Sequence, residues 1–292
     1  MKASAFSYAR ASSVDHALEL LAVHGEQAKV LSGGQSLMPA LNLRLSAPEW
    51  IVDIGGLAEL RGISVSDGML RIGALTRHAD VQASAEIARH APLLTEAIAH
   101  VAHPAIRNRG TLGGSLAHAD PASELPACVL ALDATIVVRG QDYERRVPAA
   151  DFFQGIYETA LTPEELLTAV EIPLKPESIH FFHEHARRKG DYAIVGLAAS
   201  AAITGDAFVD LRLAFFAVGD RPLLADASSH LVGGPVTAST LAAAQAALDD
   251  ELDPQEDQQA SAGMRRYLAR QLLEQCVATL LQRPDLRTRK FA

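Results

Sequence analysis

Residues 106–126 read Ile106-Arg-Asn-Arg-Gly-Thr-Leu-Gly-Gly-Ser-Leu-Ala-His-Ala-Asp-Pro-Ala-Ser-Glu-Leu-Pro126, and residues 28–39 read Ala28-Lys-Val-Leu-Ser-Gly-Gly-Gln-Ser-Leu-Met-Pro39. Each carries a diglycine in a hydroxyl-flanked frame, Ser32-Gly33-Gly34-Gln35-Ser36 in one and Thr111-Leu112-Gly113-Gly114-Ser115 in the other. Consecutive glycines let the backbone take φ > 0 and come close to a ligand, and the neighbouring hydroxyls can donate to phosphate oxygens. A lone diglycine after a strand is ordinarily a turn. Two in matching frames could clamp a diphosphate between them.

Outward from the first frame, Lys29-Val30-Leu31 reads as a strand that stops at the glycines, and Leu37, Leu41 and Leu45 set a helix over 36–45. Pro39 falls in its first turn, where a missing N–H does no harm. The helix start at Ser36 adds free N–H groups and a positive dipole end to the loop. Upstream, Val14, Leu18 and Leu21 predict a helix over 14–24, capped by Ser12 or Ser13 and stopped by Gly25. Downstream come a strand over 50–54 and a hairpin of 62–65 with 69–75 around Asp67-Gly68.

Helices are expected over 77–84 and 86–101, followed by a long polar glycine-rich loop from Arg107 to Ser115. A short helix is expected over 123–131, with strands over 135–139, 143–147 and 166–172. The last third predicts strands over 193–204 and 208–218, then helices over 239–248 and 263–282. In the final helix Leu268, Leu272, Cys276 and Leu280 share one apolar face, so Cys276 reads as a core residue. Boundaries are expected near Lys175-Pro176 and Gly55-Gly56, giving lobes of 1–56, 57–175 and 176–292.

The 292 residues carry 26 Lys+Arg against 35 Asp+Glu, a net charge of −9, which gives no general attraction to nucleic acid or anionic membranes. The two cysteines, Cys128 and Cys276, are isolated, so this chain cannot ligate an iron–sulfur cluster by itself. No apolar stretch is long enough for a signal sequence or membrane insertion, and the expected location is cytoplasmic. A P-loop, a G-x-G-x-x-G fingerprint and a G-x-S-x-G elbow are all missing, so a phosphate ligand must be held by another fold. His183 and His185 would face one side of a strand but lack an obvious third ligand, and no metal site is expected. The run Arg187-Arg188-Lys189 reads as a solvated face that could also steer an anionic acceptor.

The two long motifs, with Ile51-Val-Asp-Ile54, Leu167 to Pro173, Arg187-Arg-Lys-Gly-Asp-Tyr-Ala193 and the helical tail in the same order, resemble the flavin-binding medium subunit of molybdenum hydroxylases. That group includes carbon monoxide dehydrogenase and bacterial xanthine dehydrogenase. The resemblance spans essentially the whole chain. It implies an α+β architecture: a PCMH-type, vanillyl-alcohol-oxidase-like two-lobed FAD-binding fold, followed by a C-terminal α+β lobe of the CO dehydrogenase flavoprotein type. It also implies noncovalent, extended FAD, held at the diphosphate by Ser32, Gly33, Gly34, Gln35 and Ser36, with Lys29, Leu31 and Leu37 alongside, and by Thr111, Gly113, Gly114 and Ser115.

By the same resemblance Asp120 and Glu124 lie on the ribityl and flavin side, and Leu167 gives a backbone contact to the ring. Lys189, Asp191 and Tyr192 belong to the loop that approaches the isoalloxazine, with Tyr192 covering one face. Gln35 stands where His is also common, Ser115 where Asn or Asp is frequent, and Glu124 where Asp is usual. No catalytic residue is implied on this chain, since the electron chemistry belongs to the flavin.

The resemblance further implies electron transfer within a heterotrimer, commonly a dimer of trimers. A small subunit carries iron–sulfur clusters, a large subunit carries the molybdenum cofactor, and the flavin passes electrons to NAD, oxygen or a quinone. The alternatives are a free-standing FAD-dependent oxidase or reductase of the same superfamily, and a flavin-free scaffold.

Overall fold

The computed structural model describes residues 2–283 and Leu286. Strand Ala28–Leu31 pairs in parallel with Trp50–Asp53, which pairs in parallel with Ser7–Arg10 on its other side. Helix Val14–His24 packs its Val14, Ala17, Leu18 and Leu21 stripe into the core beneath them. Its ends are set as the sequence implies: the Ser13 side chain accepts the His16 N–H, and Gly25 closes it at φ 48°. The strand Ser7–Arg10 is not legible from periodicity, because three of its four residues, Tyr8 among them, are exposed.

A five-stranded antiparallel sheet follows, in the order Ile63–Ser66, Met69–Gly73, Leu166–Pro173, Thr135–Arg139, Glu144–Pro148. Asp67 (φ 50°) and Gly68 (φ 74°) make the expected turn. Helices packed on this sheet bury Leu93, Leu94, Ile98, Leu125 and Val129 in the largest core. The segment 86–101 is two helices rather than one, Ala85–His90 and Pro92–Ile98, since Pro92 drives Ala91 out of the helical region to φ −145°, ψ 56°. The segment 107–115 is likewise not one loop. Thr111 accepts the Gly114 N–H and caps a helix, Leu112–His118, that contains both glycines.

The third sheet orders Ile179–Ala186, Ala193–Thr204, Ala207–Phe216 and Leu223–Leu224 antiparallel, and is covered by helices Ala238–Glu251 and Ala262–Leu280. Cys276 is fully buried with Leu272, Leu273 and Val277, as the four-residue spacing requires. A small hairpin, Phe153–Gly155 with Glu158–Thr159, stands apart from the three sheets. Among the described residues no helix is long and apolar enough to cross a membrane.

Candidate functional site

The two diglycine segments meet. Ser32 Oγ and Thr111 Oγ1 share a hydrogen bond of 2.7 Å, although 79 residues separate them. The contact is built by sutures on both sides. Arg77 and Thr111 form an antiparallel bridge, His78 N donates to Gly110 O, Leu112 N to Thr76 O, and Gly113 N to Ala74 O. Strand Ala28–Leu31 delivers Ser32 to the same place, and Gln35 Nε2 donates back to Gly33 O.

The glycines serve different purposes from those their pairing suggests. Only Gly34, at φ 73°, occupies the left-handed region. Gly33 is needed for close approach, since a Cβ there would lie 2.3 Å from the Arg109 carbonyl oxygen. Gly113 packs against Ala74, where a Cβ would come within 2.6 Å of the Ala74 Cβ, and a Cβ on Gly114 would meet Thr111 Oγ1 at 2.7 Å. The helix expected over 36–45 is Leu37–Leu43, ended by Arg44 at φ 59°, and the Ser36 side chain makes no cap bond.

At this junction opens a cleft of about 630 Å³, lined by Ser32, Gly33, Gly34, Gln35, Leu31 and Thr111 of the expected set. Lys29, Ser36, Leu37, Gly113, Gly114 and Ser115 do not line it. Lys29 is exposed on its strand, and Ser115 instead shares a 3.3 Å hydrogen bond with Ser123. Four arginines that sequence reading left out of the site do line it: Arg10, Arg61, Arg77 and Arg109. Among the described residues none of the four is paired with a carboxylate.

The Asp53 carboxylate in the same cleft is occupied by Tyr8 OH at 2.5 Å and by the Gly55 N–H at 2.8 Å. A chain of net charge −9 therefore concentrates unneutralised cations, hydroxyls and accessible backbone at one opening. That donor set fits a diphosphate. Arg109 was signalled by its place beside the second diglycine. Nothing local marks Arg10, at the end of strand Ser7–Arg10, or Arg61, just before strand Ile63–Ser66, which the fold brings together.

A second cluster lies beyond the far end of helix Leu112–His118. Ala119 turns the chain at φ 50°, and Asp120 follows, its Oδ1 accepting the Ala122 N–H at 2.9 Å. Glu124 opens helix Glu124–Ala131 and is buried. Burial pushes its carboxyl up to about 8, and the Glu184 and Asp120 carboxylates add to the shift. Tyr192 joins them from the loop after Ile179–Ala186; its phenol is raised by the protein around it and then by Asp120.

Gly190, at φ 87°, lets that loop rest on the Ala102 carbonyl and His103. Lys189 and Asp191 in the same loop are exposed. Leu167 is buried at a bulge in strand Leu166–Pro173, beside Thr168, whose carbonyl accepts Ala74 N–H. His183 and His185 do share a face, with rings 5.3 Å apart.

Residues 4–175 match the FAD binding domain in molybdopterin dehydrogenase, and residues 180–280 match the CO dehydrogenase flavoprotein C-terminal domain. The chain belongs to the flavin-binding medium subunits of the molybdenum hydroxylases. It is 40% identical to the 6-hydroxypseudooxynicotine dehydrogenase complex subunit alpha of Paenarthrobacter nicotinovorans, over 97% of both chains. Its structure is similar to that of carbon monoxide dehydrogenase from Hydrogenophaga pseudoflava lacking the Mo-pyranopterin moiety of the molybdenum cofactor. There the TM-score is 0.94 at 34% identity, covering 97% of this chain and 99% of that one.

Similarity to quinoline 2-oxidoreductase from Pseudomonas putida 86 gives a TM-score of 0.90 at 40% identity, over 97% and 99% of the two chains. As a medium-subunit family member the protein is part of an oxidoreductase, and it has the two-lobed FAD-binding fold followed by the C-terminal α+β lobe.

Proposed function

We propose that this protein is the FAD-binding, electron-transfer subunit of a heterotrimeric molybdenum hydroxylase in the cytoplasm. It takes electrons from iron–sulfur clusters on a small partner subunit, downstream of a molybdenum cofactor on a large one, and delivers them to NAD, oxygen or a quinone. The observation that carries this reading is the junction of Ser32 and Thr111 at the mouth of the arginine-lined cleft. Both cysteines are buried, and burial raises both thiols, so neither is placed to ligate a cluster. Partners must therefore hold the clusters. We take the chain as three lobes, 1–56, 57–175 and 176–292, with FAD between the first two and its ring reaching the third.

Bound flavin supplies the redox chemistry. The chain's own residues bind, orient and screen it. Ser32 to Ser36 and Thr111 to Ser115 grip the diphosphate, with Lys29, Leu31 and Leu37 supporting the first loop and the four arginines neutralising charge. Asp120 and Glu124 face the ribityl side, Leu167 offers backbone to the ring, and Lys189, Asp191 and Tyr192 form the loop over it.

The purified protein should show a flavin absorption spectrum and release FAD on denaturation. A colourless protein that cannot be reconstituted overturns the reading. Isolation from its source with flavin but with no iron- or molybdenum-bearing partner would favour the free-standing oxidase or reductase.

Arg77→Ala and Arg109→Ala are each expected to weaken FAD binding about 10-fold, as for loss of a charge-assisted hydrogen bond. The deficit of the double variant should shrink at high salt, because these guanidiniums are exposed. Flavin titration of the apoprotein at two ionic strengths measures both effects. Tyr192→Ala should keep FAD bound but change turnover with external acceptors, since Tyr192 stands on the accessible side of the cluster. Unaltered acceptor kinetics would remove it from the site.

A further inference from the structure

Tyr157 has no role in the reading above, yet its position is costly. It is the second of two residues linking the strands of the Phe153–Gly155/Glu158–Thr159 hairpin, and it is held at φ 58°, where Gly or Asn is the ordinary choice. Packing does not explain it, because Ile156 and Tyr157 are 58% and 55% exposed. The base of the hairpin is fixed. Phe152 and Phe153 anchor it in the central core, Ala160 N donates to Phe152 O, and Arg221 Nη1 reaches from the C-terminal lobe to Gln154 O at 3.1 Å. A firmly held base thus presents a strained, exposed aromatic tip, the pattern in which an outlier points to function.

The tip faces the second cluster. The Tyr157 ring lies 4.9 Å from that of His118, the last residue of helix Leu112–His118, and the phenol is raised by its surroundings and by Asp120, as that of Tyr192 is. Tyr157 from the central lobe thus packs on the ring two residues before Asp120, and Asp120 raises both its phenol and that of Tyr192 from the C-terminal lobe. The helix that separates this pair from the Ser32–Thr111 junction spans about 10 Å at 1.5 Å per residue. Diphosphate grip and tyrosine pair are thus the two ends of one rigid element.

We propose that Tyr157 is a positioning residue of the flavin-ring site: with Tyr192 it forms a two-tyrosine gate at Asp120 that retains the ring and limits access to it. The proposal rests on the FAD reading above. Its test uses the FAD-loaded protein and the variants Tyr157→Phe, Tyr157→Ala and Tyr157→Gly, with the rate of FAD release followed by the return of free-flavin fluorescence. Loss of an aromatic contact should speed release about 3- to 10-fold in the Ala and Gly variants, and Phe should restore the wild-type rate. Tyr157→Gly should at the same time raise the Tm of the apoprotein by about 2–4 °C, because the left-handed strain is relieved.

A merely structural tip residue would give the Tm rise without faster release. Unchanged release in both the Ala and Gly variants therefore overturns the gate while leaving the FAD reading standing. A wild-type protein that takes up no FAD overturns both.

Discussion

Gly33→Val is expected to abolish FAD retention, and Gly33→Ala to weaken it severely. The reason is the second loop rather than backbone strain. A Cβ at position 33 would sit 2.3 Å from Arg109 O, 2.9 Å from Gly110 Cα and 3.0 Å from Arg109 C, all backbone atoms that cannot rotate away. The two loops must separate, breaking the Ser32–Thr111 hydrogen bond and widening the mouth of the cleft. Overpacking of this kind costs about 1–3 kcal/mol for a single methyl, which is roughly 5- to 150-fold in affinity where the strain falls on the binding geometry. Valine adds two more methyls to the same collision.

Gly234→Ala is the matched control, because nothing lies within 4 Å of its Cβ position. Flavin content after gel filtration separates the variants. Full occupancy in Gly33→Val would show that the junction does not grip the nucleotide.

The distinction between strain and close approach marks how far the sequence could be read. Hydroxyl-flanked diglycines announced two special backbone segments, and their residue types are the basis for expecting phosphate there. What they could not announce was which glycine answers to which constraint. Gly34 needs positive φ, Gly33 answers to Arg109, and Gly113 to Ala74, partners whose proximity exists only after the five-stranded sheet and its helices assemble. Periodicity located the long elements, among them Val14–His24 and Ala262–Leu280, because each buries a continuous stripe.

Periodicity failed where the signal is short or polar. Ser7–Arg10 is exposed at three of four positions, and the helix Leu112–His118 is hidden by its own glycines. Arg10, Arg61 and Arg77 were invisible for a related reason. Each is a single charge beside a buried residue, Ala11, Leu60 or Thr76, and only the assembled fold turns the three toward one opening. Tyr157 carries no sequence signal, since left-handed tyrosine is a property of the folded hairpin.

Glu124→Gln should flatten the pH dependence of stability between about pH 5 and 8. In the folded protein burial raises this carboxyl from 4.5 to about 8, with Glu184 and Asp120 adding repulsion. The folded state therefore binds a proton that the unfolded chain gives up at lower pH. The resulting stabilisation is complete below the unfolded value and is lost as pH rises through the folded one. At roughly 1.4 kcal/mol per unit, a shift of this size amounts to a few kcal/mol across the window.

Glu124's own backbone N–H opposes the shift, but burial outweighs it. Glu184 shares a 3.2 Å hydrogen bond with His100 Nδ1 through one oxygen, and among the described residues its buried Oε2 has no hydrogen-bond partner, so no donor on it offsets the burial of an ionised Glu124. Denaturant unfolding of wild type and Glu124→Gln at pH 5, 7 and 9 measures the difference directly. The wild type should lose more stability than the variant between pH 5 and 9.

FAD affinity should follow the same proton. Above pH 8 the ribityl side of the flavin would meet Glu124 ionised and without a proton to donate, and binding should weaken in the wild type but not in Glu124→Gln. Parallel stability curves for the two proteins would show that this proton does not control folding, and equal FAD affinities above and below pH 8 would show that it does not control the flavin site.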